Sequence, residues 1–98
     1  MKFSTQHPRL TKIITAWDTS SVTTMAALFR NARSFTQDIS KWDTSNVIAM
    51  SYMFKGASIF NQNLSDWCVD NIPQEPSDFA EGSILFETNK PVWGTCPK

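Results

Sequence analysis

The chain is 98 residues long, enough for one domain with a modest core. Nine basic and nine acidic side chains cancel and no run of like charge occurs, which argues against a nucleic-acid surface or a charged tail. An apolar share of 41%, with four Trp and seven Phe, argues against disorder and raises the question of where so many large rings go.

The first residues, MKFSTQHPRL, lack an apolar h-region and do not read as a signal peptide. No later stretch approaches the length of a membrane-spanning helix. Leu10 falls in a slot that Phe35 and Phe60 fill further on, so residues from about 7 to 13 read as a truncated copy of a later segment. Segment 1–13 is therefore a partial N-terminal repeat or merely an end of the chain.

An internal repeat begins at Ile14. Residues 14–38 and 39–63 align without a gap, and 11 of the 25 positions are identical. In the first copy, Asp18, Ser20 and Ser21 precede an apolar set made of Val22, Met25, Leu28, Phe29 and Ala32. The spacing predicts one face of a helix, with the polar residues as its N-terminal caps and Asn31 near its end. The second copy repeats this with Asp43, Ser45 and Asn46, then Val47, Met50, Met53, Phe54 and Ala57, with Gly56 near the end. Ile39–Trp42 and Leu64–Trp67 read as short strands or extended turns. Gln37 and Gln62, with Asp38 and Asn63, read either as polar ladders between copies or as solvated loop.

A degenerate third copy and C-terminal cap occupy 64–98. Leu64, Trp67, Ile72, Phe79, Gly82 and Leu85 fall in the Ile, Trp, Val, Phe, Ala and Phe slots. Pro73, Pro76 and Pro91 and several charged residues enter, which suits a terminal copy. Pro76 could open a short helix, and Trp93, one position beyond the Trp slot, is expected to cover the open end. Cys68 and Cys96 lie about one copy plus three residues apart, which permits a disulfide; two reduced thiols or a metal site are the alternatives.

The expected architecture is α/β: a short leucine-rich-repeat-like solenoid with one short strand and one helix per 25-residue coil and a C-terminal cap. Its internal columns would be Trp17, Trp42 and Trp67; Phe29, Phe54 and Phe79; and Phe35, Phe60 and Leu85. Val22, Val47 and Ile72, with Met25 and Met50, would fill the layers between them.

The run WDTSNVIAMSYMFKGASIFNQNLSDW, residues 42–67, closely resembles the lipoprotein-associated repeat first noted in mycoplasmas and found in BspA-like leucine-rich-repeat surface proteins. The ending from Trp67 to Pro97 resembles the last coil of such arrays. The resemblance spans about residues 10–97. It implies a leucine-rich-repeat fold on an extracellular or cell-surface protein, adhesion or partner binding, and no enzyme activity. No lipobox cysteine precedes the repeats and the copies are few, so an excised C-terminal fragment or a short stand-alone relative is expected.

Chemistry is sparse. His7 is the only histidine, so no Ser–His or Cys–His pair suggests itself. The aspartates are scattered, the cysteine and histidine spacing does not suit zinc, and the glycines form no phosphate loop. No cofactor, metal or nucleic acid is expected. Recognition of a host or cell-surface protein or glycan would rest on positions that differ between copies, with Lys41, Ile48, Tyr52 and Ile59 as the candidates. Self-association through the open N-terminal end is a further expectation. The other reading is a purely structural C-terminal cap of a longer array, with no ligand of its own.

Overall fold

The structure is a computed structural model that describes residues 13–97. The truncated copy around Leu10 and the single histidine, His7, lie outside the described residues.

The α/β solenoid expectation is overturned. Among the described residues there is no α-helix and no β-strand. The regular pieces are one 3₁₀ turn, Glu87–Asn89, and one isolated parallel bridge between Thr24 and Ala49. The stretches expected as helices, 22–32 and 47–57, are runs of tight turns. In the first, N–H groups of Leu28, Arg30 and Ala32 bond the carbonyls three residues back. Those of Met53, Lys55 and Ala57 do the same in the second. Ile39–Trp42 and Leu64–Trp67 are turns of the same kind, closed at 3.1 and 3.0 Å. Pro76 likewise opens a turn, to Phe79, and not a helix.

Two features keep these segments from winding into helices. Ala27, Asn31, Tyr52 and Gly56 all have positive φ, between 59° and 76°, which interrupts right-handed winding every four residues. The N–H groups between the turn donors also point out of their own copy. Those of Met25, Ala27, Phe29 and Asn31 bond the carbonyls of Ala49, Ser51, Met53 and Lys55 at 2.7–2.9 Å. Those of Tyr52, Phe54 and Gly56 bond Ser77, Phe79 and Glu81 in turn. Backbone donors are thus satisfied half within a copy and half by the next one.

The core lies between the copies. Phe29 stacks on Phe54 at 5.6 Å and Phe35 on Phe60 at 5.4 Å, while Trp17 stands over Trp42 at 6.3 Å. Val22, Met25, Phe29, Phe35, Trp42, Val47, Met50, Phe54, Phe60, Trp67, Ile72 and Phe79 are all buried, and Trp17 is half-buried against them. Polar groups tie the same layers. The indole N–H of Trp42 donates to the Ile14 carbonyl and that of Trp67 to the Ile39 carbonyl. Thr19 and Thr44, both buried, donate their hydroxyls to the carbonyls of Asp43 and Cys68. The Gln62 amide donates to the Thr36 carbonyl, and the Gln37 side-chain oxygen accepts from Ile14 N–H.

The third copy keeps the 25-residue register through Trp67 and Ile72 and runs one residue late from Pro76 on. Gly82 lies over Gly56, and Asp78 takes the positive φ that Tyr52 has one copy earlier. The turn Pro76–Phe79 matches Met50–Met53. Phe79 therefore occupies the slot of Met53 and not that of Phe54, and Gly82 is not in the Ala slot. This explains why Phe79 meets Phe54 edge-on, at 83°, where the earlier copies stack. Trp93 packs edge-on against the same Phe79 ring at 4.9 Å. The tail is held across the third copy by Leu64 N–H to Asn89, Val69 N–H to Thr95, and the Cys68–Cys96 disulfide.

Candidate functional site

Beside the disulfide the turns leave a concavity of about 490 Å³, lined by Ser40, Lys41, Asp43, Asn63, Asp66 and the two cysteines, with Trp42 and two hydroxyl residues completing it. Its walls derive from the repeat. Asp38, Asp43 and Asn63 each accept the N–H of the serine two residues on, at 3.0 Å. These Asx turns, local alternatives to helix or strand, hold the polar rim in place.

Asp43 also accepts the Ser45 hydroxyl, through the same Oδ1 that takes the N–H. Those bonds hold its carboxyl below the usual range, against the opposing pull of burial and of the Asp18 charge. Asp18 and Asp38 are lowered for the same reason, by Ser20 and Ser40, with Lys41 adding to the effect at Asp38. None of these three is poised near neutral pH as a general acid or base would be. Among the described residues no cluster of three His, Cys, Asp or Glu is placed to hold a metal ion. The groove can offer carboxylate, amide and hydroxyl groups to a polar ligand, with Lys41 as its cation. The Trp42 ring is 4% exposed and offers no stacking platform.

Of the four candidate binding residues, Lys41 alone lines this groove. Ile48 and Ile59 stand on other surfaces, 66% and 49% exposed. Tyr52 sits between two cations, with Arg30 5.7 Å and Lys55 5.5 Å from its ring centre. Lys55 in turn pairs with Asp78 and Glu81 of the next copy. Asp66 was not among the candidates, yet it occupies the Lys41 slot one copy on, so the same inspection of differing positions would have reached it. The disulfide as a wall of the groove had no comparable signal, because the path of residues 86–96 is not repeated elsewhere in the chain.

A family model described as "Mycoplasma protein of unknown function, DUF285" matches residues 1–95. The chain belongs to the DUF285 family. That membership agrees with the mycoplasma side of the sequence resemblance and carries no leucine-rich-repeat assignment. No curated protein and no solved structure matches the DUF285 chain.

Proposed function

We propose that this DUF285 chain is a non-enzymatic binding module of a bacterial surface or secreted protein, akin to the BspA-like surface proteins, and that it takes a protein or glycan partner. The observation that carries the reading is the division of labour between positions. Residues shared by the copies are consumed by ring stacking and copy-to-copy hydrogen bonds. Residues that differ, Lys41 and Asp66 foremost, line a polar groove with free hydrogen-bonding capacity. A ligand rich in hydroxyls, such as a glycan, suits carboxylate and amide partners of this kind. The location outside the cell rests on the resemblance and fits a disulfide-held tail.

The test is binding to a panel of defined glycans and purified matrix proteins, comparing the parent chain with Lys41→Ala and Asp66→Asn. A partner whose affinity falls about tenfold in either variant supports the groove, about 1.4 kcal/mol. Absence of any partner, or equal binding by all three, refutes it.

A structural cap for a longer array is the second reading, favoured by Trp93 covering Phe79 and by the tail pinned over the third copy. It predicts that upstream copies fused to this chain melt higher than the same copies without residues 64–98.

A further inference from the structure

The Cys68–Cys96 bond serves two purposes at once. It is a wall of the groove, and it ties the tail to the third copy. As far as Thr95 the tail has other anchors. Leu64 N–H donates to the Asn89 carbonyl, Lys90 pairs with Glu75 and Glu87, and Trp93 packs on Phe79. Gly94 N–H donates to the Ile72 carbonyl, and the Thr95 carbonyl accepts from Val69 N–H. Beyond Thr95 these anchors end. Cys96 and Pro97 are exposed, and among the described residues the disulfide alone holds them. The bond is also within reach of solvent, since Cys96 is exposed and Cys68 half-buried. Its surroundings carry charge. Asp43 and Asp66 line the same groove, Asp70 Oδ1 lies 3.5 Å from Cys68 Sγ, and Lys41 is the one cation among the lining residues. Three carboxylates against one ammonium repel an anion that approaches the sulfurs and draw in a cation.

From this placement we infer that the Cys68–Cys96 disulfide is a redox latch on the groove. A small aliphatic thiol opens it in the folded protein, positively charged thiols ahead of negatively charged ones. Opening frees residues 96–97 and removes one wall of the groove, while the layers and the tail as far as Thr95 stay in place. The chemistry is thiol–disulfide exchange. A first thiolate bonds one cysteine sulfur as the bond between the cysteines breaks, and the other cysteine leaves as a thiolate. A second thiolate then takes the first away as a small disulfide. Two thiols are thereby oxidised to one disulfide, and the two protons they give up end on Cys68 and Cys96. The effect on partner binding rests on the groove reading above; the opening itself does not.

The experiment follows reduction of the full chain by cysteamine, mercaptoethanol and mercaptopropionate at low salt, each rate taken per thiolate and set against the same thiol's rate on an uncharged linear disulfide. The expected ratio of cysteamine to mercaptopropionate exceeds that reference by about threefold to tenfold. Added salt should shrink the excess, and so should Asp66→Asn with Asp70→Asn, both exposed positions. The rates should not respond to urea well below the unfolding midpoint. NMR of the reduced chain, and of Cys68→Ser with Cys96→Ser, should show change around the groove while the Leu64 and Gly94 amides keep their protection from exchange. A rate that climbs with urea, a thiol order equal to the reference, or loss of protection at Leu64 and Gly94 overturns the inference. None of these readouts needs a partner, so a panel that yields none refutes the groove reading and leaves the latch standing. Where a partner is found, its affinity should fall about tenfold on reduction, and equal affinity for the two forms would overturn the latch.

Discussion

At the scale of single residues, the backbone conformations are the most demanding feature. Ala27 holds φ at 59°, where a Cβ costs about 1–2 kcal/mol and glycine costs nothing. Ala27→Gly should therefore be neutral or stabilising by up to about 1 kcal/mol, the reverse of the usual effect. Gly56→Ala should destabilise by about 1–2 kcal/mol, because φ is 76° and the new Cβ would meet the Asn31 side chain. Urea unfolding of the two variants beside the parent gives both signs.

The aspartates make a second residue-scale prediction. Asp18, Asp38 and Asp43 are more acidic folded than unfolded, since serine hydrogen bonds favour the charged form. Their stabilisation is present above the unfolded value of about 3.9 and is lost as pH falls through the lower folded values. Asn63 makes the same turn without titrating. Asp38→Asn with Asp43→Asn should then keep stability near neutral pH and lessen its fall below about pH 4. An unchanged acid limb in thermal melts would contradict this.

At the scale of the elements, the repeat was legible and the helices read from it were not there. Identical residues 25 apart identify which rings meet, and Phe29 does stack on Phe54. The misreading came from period. Val22, Met25 and Leu28, then Phe29, Ala32 and Phe35, recur every three residues, one per tight turn. In an α-helix Phe35 would stand about 140° round from Val22, yet both are buried here, at 0% and 5% exposure. Of the positive-φ sites in these two stretches, Asn31 and Gly56 are residue types that suit the left-handed region, whereas Ala27 and Tyr52 do not announce one. The one-residue shift of the third copy was hidden because Phe79 fits the repeat in sequence and a neighbouring slot in space. In the groove, Lys41 was readable as a differing position, and the cysteine wall was not. Far-UV circular dichroism should show no helical double minimum. Removing a stacked ring, as in Phe54→Ala, should cost about 3–5 kcal/mol, enough to unfold much of a domain of this size.

At the scale of the whole molecule, order comes from layers joined through their backbones and closed by a covalent tie. The Cys68–Cys96 bridge spans 28 residues and fixes the tail across the third copy. In the chain-entropy model a loop of that size contributes about 3–4 kcal/mol. Reduction, or Cys68→Ser with Cys96→Ser, should lower the melting temperature by some tens of degrees at most, on the order of 4–8 °C per kcal/mol. Loss of order should begin at the Trp93–Phe79 contact. Lys90 supports the same tail. Burial works against its charge, but hydrogen bonds and charge from Glu75 and Glu87 prevail and raise its pKa.

Hydrogen bonds that run from copy to copy, and not along helices, hold the layers together. Amide exchange in dilute solution, read residue by residue, tests this most directly. Ala27, Phe29 and Asn31, with Tyr52, Phe54 and Gly56, should be protected about a hundredfold or more over Asp78, Ala80 and Gly82. Equal protection of the three rows would mean that each copy satisfies its own backbone, as helices do, and would contradict the layered arrangement.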